Sequence, residues 1–199
     1  FQRAEGVAGG GPLRGANGPL KVTRGAETNP LYHAFVEAAC QAGYARSANM
    51  NERQHEGFGP MEMTVADGKR CSATVAYLRP ALTRGNVRVI CHAMVDRILF
   101  DGRKATGVRF ERNGAAYVAR ANREVILSAG SIMSPVILKR SGVGPTDELR
   151  SHGIETILDK PGVGANLMDH LELYFQQECL KPVSLYGSMN LPAKALIGL

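Results

Sequence analysis

The fold of this chain is decided by the stretch GSIMSPVILKRSGVG, residues 130–144. The apolar run before it, residues 124–128, is typical of a buried strand, and Ala129-Gly130 allows a tight turn. Ser134-Pro135 predicts a helix start, with Ser as N-cap and Pro at the first helical position, and Gly142 predicts the helix end. A strand that leads through small residues into a helix N-terminus is where α/β proteins bind anionic cofactors, because free N–H groups and the helix dipole point outward there.

This spacing resembles the second signature of the glucose-methanol-choline (GMC) family of flavin-dependent alcohol oxidoreductases. At least seven positions are restricted within these fifteen residues, which is far more specific than a lone Gly-x-Gly. The alternative is an ordinary strand–turn–helix in another α/β domain. The resemblance implies a mixed α/β (α+β) chain: a partial FAD-binding GMC fold with a β-meander, a Rossmann-like strand–helix portion and part of the substrate-binding domain.

Composition sets milder limits on function. With 199 residues, of which 44% are hydrophobic, the chain is long enough to bury a sizeable core. The net charge of +6 is spread along the chain, without helix-turn-helix or zinc-finger spacing, which favours a solvated surface over nucleic-acid binding. Peripheral association with an anionic membrane surface stays open.

The four cysteines argue against a zinc site and against a disulfide framework, because none forms a Cys-x-x-Cys pair: Cys40, Cys71, Cys91 and Cys179. They favour a reduced compartment. No apolar run is long enough for a membrane span, and the start does not resemble a signal peptide. We therefore expect the bacterial cytoplasm or inner-membrane face, or the mitochondrion.

Both ends of the chain look cut. It opens at Phe1, and residues 193–199 stop within an apolar, helical pattern that has no cap. No Gly-x-Gly-x-x-Gly follows an N-terminal strand. We expect an internal piece of a longer protein, with the dinucleotide fingerprint outside it.

Several elements are predicted around the signature. Asn29-Pro30 starts a helix that ends at Gly43, and we expect its apolar stripe to pack in the core: Leu31, Ala34, Phe35, Ala38, Ala39 and Ala42. Four short strands form a meander with tight turns at Asp101-Gly102 and Asn113-Gly114: residues 87–91, 95–100, 105–111 and 115–120.

Three regions follow from this order. Residues 1–70 are predicted as a loop-rich and helical segment, partly on the substrate side. Residues 71–165 are predicted as part of the flavin-binding domain, with the meander and the signature 130–144. Residues 166–199 are predicted as the start of the substrate-binding domain.

The segment after residue 169 suggests how a cationic substrate is selected. A quaternary ammonium cannot donate a hydrogen bond, so its recognition needs a carboxylate and aromatic faces. If residues 170–175 form a strand, His170, Glu172 and Tyr174 share one face. From the residues alone, an exposed strand carboxylate is the alternative for Glu172.

The run Asp169-His170-Leu171-Glu172 resembles the choline-oxidising branch of the GMC family. The resemblance implies that Glu172 faces the ammonium group and that His170 lines the substrate wall. On the cofactor side it implies FAD, with Val95 touching the adenine through its backbone and with Ser128 and Gly130 near the cofactor.

The reaction that the resemblance implies is FAD-dependent oxidation of choline, or a similar small alcohol, to the aldehyde, as in glycine betaine biosynthesis. The electron acceptor stays open. None of the five histidines stands in the family's His-x-x-Gly-Thr context, so we predict no catalytic base and no metal site in this chain. We expect the isolated chain to be inactive. The alternatives are a GMC enzyme for another alcohol and a non-catalytic truncated module.

Overall fold

A computed structural model describes residues 2–184 of the chain. The chain divides into two compact units, one comprising Phe1–Arg88 with Phe175–Leu199 and the other Val89–Tyr174. Each unit combines helices with short strands. This agrees with the mixed α/β class that the sequence predicts.

The first unit is built on a small mixed sheet. Strand β1 (Glu5–Val7) pairs in parallel with β2 (Leu20–Arg24). Helix α1 (Pro30–Gln41) follows, and then strand β3 (Glu62–Met63), which pairs antiparallel with β2. Strands β4 (Val65–Ala66) and β5 (Lys69–Arg70) form a separate antiparallel pair. A π-helical turn (Thr74–Leu78) leads into helix α2 (Arg79–Leu82). Its buried side chains include Val7, Cys71 and Ala76.

Helix α1 begins where the sequence predicts. The Asn29 side chain caps it by accepting a hydrogen bond from the Leu31 N–H at 2.8 Å. Of the predicted buried stripe only Ala39 is buried, and the prediction is wrong for the rest, including Phe35, which is 64% exposed. The second buried residue of the helix is Val36, three positions before Ala39 on one helical face, so the helical period is right but the buried face is shifted.

The second unit contains the predicted meander, with three strands instead of four. Strands β6 (Met94–Asp101), β7 (Lys104–Arg112) and β8 (Ala115–Arg120) pair antiparallel in that order. The turn at Asn113-Gly114 is confirmed, since Arg112 pairs with Ala115 across it. The first hairpin closes one residue later than predicted, because Asp101 pairs with Lys104.

The signature forms the rest of the second unit. Helix α3 (Gly130–Arg140) is followed by β9 (Val143–Gly144), α4 (Thr146–Ser151) and β10 (Leu158–Asp159), and β10 pairs in parallel with β9. The side chains of Ile98, Ile137, Val143 and Leu149 are buried in this unit. Gly142 ends α3 with φ +82, where an added Cβ would lie 2.5 Å from the Glu155 carbonyl oxygen.

Two of the strands predicted before the signature are absent from the described residues. Residues 87–91 and 124–128 have no strand assignment, and Ile126 is 78% exposed. A strand requires a hydrogen-bonded neighbour, and no strand within residues 2–184 pairs with either run. These two runs have the apolar, β-branched composition of strands, but no sheet in the described part of the chain includes them.

Candidate functional site

The N-terminus of α3 is the first part of the candidate site. The helix begins at Gly130, so the prediction that Ser134 is its N-cap is wrong. Pro135 lies inside the helix, where its ring nitrogen cannot donate to the carbonyl one turn back. The Ser134 hydroxyl reaches back instead and accepts a hydrogen bond from the Ala129 N–H at 3.0 Å. The serine thus acts at the helix start, but from inside the helix.

Space is open at this helix start. Gly130 has φ +84, and an added Cβ would meet no atom within 4 Å. Ser128 and Gly130 are both exposed, and the N-cap Ala129 offers no side-chain hydrogen bond to the first turn. An exposed helix N-terminus without a side-chain cap fits an anionic group, because its N–H groups need acceptors.

An open groove of about 630 Å³ lies beside α3. One wall is formed by residues of the helix, including Ile132, Ser134 and Val136, and the other by the loop 162–168. Lys139 also lines it and donates to both Glu148 carboxylate oxygens, at 2.7 and 2.9 Å. The groove is mostly apolar, with few polar groups, which is typical of a small-molecule site.

Val95, the predicted adenine contact, lies near the start of β6. It is half-buried and pairs with Phe110 on β7. Among the described residues no hydrogen bond or ion pair joins Val95 to Ser128 or Gly130. The three predicted cofactor residues lie in one unit, and their role stays a prediction.

The predicted substrate residues lie on an exposed segment. Residues 167–179 have no helix or strand, so the strand predicted over residues 170–175 is not observed. Glu172 and His170 are exposed, and neither lines the groove beside α3, whose lining extends only to Met168. The role of these two residues stays a prediction.

Local hydrogen bonds join the acidic side chains of this segment to their neighbours. The Tyr174 hydroxyl donates to the Glu172 carboxylate, and this hydrogen bond raises the pKa of Tyr174. The backbone N–H of His170 donates to the Asp169 carboxylate at 2.8 Å. The aromatic and acidic groups expected for an ammonium site are thus adjacent, but the described residues around them do not enclose a pocket.

Sequence reasoning missed the contacts that connect α3 to the meander. Arg140 Nε donates to the Asp96 carbonyl at 3.1 Å, and the Arg140 guanidinium pairs with the Asp96 carboxylate. Buried Ser141 accepts a hydrogen bond from the Ile98 N–H at 2.8 Å. The sequence feature at this place is the Ser141-Gly142 pair at the end of the signature. It predicts a helix end, but it does not show which strand residue the serine contacts.

The described residues contain neither a metal-ligand cluster nor a membrane-spanning helix. Within residues 2–184, no group of three or more His, Cys, Asp or Glu side chains is arranged to hold a metal ion. A search of the same residues finds no helix that is long and apolar enough to cross a membrane.

Comparison with known proteins identifies the family. The profile described as GMC oxidoreductase matches residues 1–172 of the 199. The chain belongs to the GMC oxidoreductase family. The family resemblance of the signature 130–144 is therefore confirmed, and with it the mixed α/β, FAD-binding fold class. FAD is the cofactor of this family.

Curated relatives of this GMC chain include choline dehydrogenases. The oxygen-dependent choline dehydrogenase of Brucella anthropi is 49% identical over 199 residues, which is 100% of this chain and 36% of that protein. The mitochondrial choline dehydrogenase of Homo sapiens is 48% identical over 100% of this chain and 34% of its own length. The chain spans about a third of the length of the curated relatives it matches.

Solved structures support the GMC fold. Pyridoxine 4-oxidase from Mesorbium loti superposes with a TM-score of 0.75 at 31% identity, over 81% of this chain and 32% of that chain. Formate oxidase of Aspergillus oryzae RIB40 gives a TM-score of 0.75 at 28% identity, over 84% of this chain and 30% of that chain.

Proposed function

We propose that the whole protein containing this chain is an FAD-dependent alcohol oxidoreductase that oxidises choline to betaine aldehyde, a reaction of glycine betaine biosynthesis. The observation that carries the proposal is the 49% identity to a choline dehydrogenase over the full length of the chain. In this reaction the alcohol carbon loses a hydride and the hydroxyl loses a proton. Bound FAD supplies the hydride acceptor.

The residues of this chain that serve the cofactor are Ser128, Gly130 and Val95. The open helix start at Gly130 is suited to an anionic part of FAD, as argued from its positive φ and the space around it. Val95 supplies backbone groups on β6. No described residue is assigned as the base that accepts the hydroxyl proton, and we infer that the isolated chain does not turn over choline.

Glu172 is proposed to bind the trimethylammonium group, with His170 on the same wall. A carboxylate attracts a quaternary cation in the ground state and in the transition state alike, so it lowers KM more than it raises kcat. Tyr174, already bonded to Glu172, adds an aromatic face for the cation.

Glu172→Gln in the complete protein tests this assignment. We expect the KM for choline to rise about tenfold or more with a smaller change in kcat, because the lost attraction is present before the reaction begins. Steady-state kinetics measures both values. The matched control is Glu178→Gln, which removes an exposed carboxylate from the same segment.

A neutral analogue of choline, with a tert-butyl group in place of the trimethylammonium, completes the design. Its KM should be the same in the Glu172→Gln variant and in the unaltered protein. An unchanged KM for choline would remove Glu172 from the site, and absence of choline oxidation by the unaltered complete protein would overturn the proposed reaction.

Another alcohol is the second candidate substrate class, because one solved neighbour is an oxidase of pyridoxine, an alcohol without a quaternary ammonium group. A panel of charged and uncharged alcohols separates the two. Preference for an uncharged alcohol would leave the Glu172 carboxylate without a cation to bind.

A further inference from the structure

A β-bulge lies directly after Val95. The pairing of β6 with β7 shifts between Val95 and Arg97, so Asp96 has no partner on β7. A bulge bends its strand and disrupts the ladder locally, and its conformation depends on other contacts. The backbone at Val95 is therefore held by its pairing with Phe110 on one side and depends on the contacts of Asp96 on the other.

The contacts that hold this bulge come from the C-terminal end of α3. Arg140 binds Asp96 twice, with Nε donating to the main-chain carbonyl at 3.1 Å and a second guanidinium nitrogen donating to the carboxylate. The neighbouring Ser141 accepts from the Ile98 N–H at 2.8 Å and donates to the Ile137 carbonyl at 2.5 Å. The last residues of α3 thus bind β6 on both sides of Arg97.

The charge around Asp96 adds to this attachment. Its side chain is 19% exposed, and it also faces Arg97 Nε at 2.9 Å and Arg109 Nε at 3.9 Å. The Arg140 hydrogen bond is the largest cause that holds the pKa of Asp96 below its ordinary value. Loss of the Asp96 charge would leave three guanidinium groups close together without their shared counter-ion.

Helix α3 therefore connects two places that the proposed function assigns to the cofactor. Its first residue is Gly130, and its last residue, Arg140, binds the bulge that follows Val95. An eleven-residue helix is about 16 Å long and stiff, so fixing one end to β6 fixes the distance between the two places.

We propose that Asp96 and Arg140 are positioning residues for FAD: by binding the β6 bulge to the end of α3, they hold the Val95 backbone at a set distance from the Gly130 turn. Neither residue is assigned a contact with the cofactor. The inference rests on the proposed function only in that Val95 and Gly130 serve FAD, and it does not depend on the substrate.

The test uses the complete protein with Asp96→Asn and Arg140→Met. Arg140→Met removes both hydrogen bonds from the strand that presents Val95, so we expect FAD to dissociate with a constant about tenfold higher. Asp96→Asn removes the charge at position 96 but keeps the main-chain carbonyl that Arg140 Nε binds, so we expect a rise of the same sign that is no larger. Flavin fluorescence during titration of the stripped protein measures this constant. The matched controls are Asp101→Asn, an exposed acid at the end of the same strand, and Arg150→Met, an exposed arginine on α4.

Two comparisons distinguish positioning from a general loss of structure. The double variant should bind FAD no more weakly than Arg140→Met alone, because Arg140→Met already removes the attachment that Asp96→Asn weakens. Arg140→Lys keeps the charge without the two-point geometry, and it should lie between Arg140→Met and the unaltered protein. It also serves as the milder variant if Arg140→Met folds poorly.

FAD affinities of folded variants equal to those of the controls would overturn the inference, as would independent, additive losses in the double variant. Failure of the proposed function looks different. If the unaltered protein binds FAD but does not oxidise choline, the substrate assignment fails while the FAD affinities of the variants still decide the positioning role.

Discussion

Arg14 and Glu172 are charged side chains in opposite surroundings. The Arg14 side chain is 3% exposed and forms a cluster with Glu5, Asn49 and Glu62, in which its Nε donates to Glu5 at 2.6 Å and another nitrogen to Glu62 at 2.9 Å. Glu172 lies on an exposed segment, and its carboxylate accepts a hydrogen bond from a tyrosine two residues away. A buried ion needs partners to be stable, whereas an exposed one is stabilised by water.

The difference separates residues whose role is visible in the fold from residues whose role needs a ligand or another part of the protein. Arg14 has partners at distant positions of the first unit, Asn49 and Glu62 among them, so its role is visible in the fold. The segment 167–180 carries many exposed apolar side chains, among them Leu171, Leu173 and Phe175. Its sequence has the composition of a buried element, but the described residues do not bury it.

Arg14→Met is the substitution with the largest expected effect on the free energy of unfolding. Methionine preserves most of the volume but leaves the Glu5 and Glu62 carboxylates close together without a cation. Removing one partner of a buried ion group costs about 3–5 kcal/mol, and we expect a loss of that size in the free energy of unfolding. Urea unfolding of the chain, followed by circular dichroism, measures it.

Arg46→Met is the control for Arg14→Met. Arg46 pairs with Glu37 at 3.4 Å, and both side chains are more than half exposed. Such surface pairs contribute less than about 1 kcal/mol. Equal effects of the two substitutions would show that the Arg14 cluster does not stabilise the fold.

The sequence predicts local features better than it predicts partners. The Asn29 cap and the Gly142 helix end follow from single residues and their neighbours, and both are confirmed. The sequence places the start of α3 five residues too late, because Ser-Pro is the usual pair at a helix start and nothing local shows that Ser134 would reach back to Ala129.

Features that depend on contacts between distant residues were not predictable. Arg14 stands in a Gly-rich stretch without periodicity, so its burial could not be inferred. The run 124–128 has strand composition but lacks a neighbouring strand in the described part. For the candidate site, the sequence supplied the family and the helix start, while the attachment of Arg140 to the β6 bulge emerged only from the structure.

Acid pH is expected to lower the stability of the fold by less than Arg14→Met does. The Arg14 hydrogen bond lowers the pKa of Glu5, and Arg140 does the same for Asp96. A carboxyl group with a lower pKa in the folded state stabilises it above the unfolded-state pKa, and this stability is lost as pH falls through the folded-state value. We expect constant stability from about pH 8 to 5 and a decline below about pH 4.

Unfolding midpoints measured across this range test the expectation. In Glu5→Gln the decline should be shallower, since one titrating group that binds protons on unfolding at low pH has been removed. A slope identical to that of the unaltered chain would mean that Glu5 does not contribute to it.

The smallest effect is expected at the other side of the comparison, where Glu172→Gln should leave the unfolding midpoint of this chain unchanged. The bond from the Tyr174 hydroxyl joins two exposed side chains, so water replaces it when the carboxylate is removed. Thermal and urea unfolding measure the midpoint, with Tyr174→Phe as the partner variant.

A side chain that contributes nothing to folding, but whose loss raises the KM for choline in the complete protein, acts through the substrate. If the midpoint of Glu172→Gln instead falls as far as that of Arg14→Met, Glu172 stabilises the fold of the chain as Arg14 does, and the two residues do not differ in this respect.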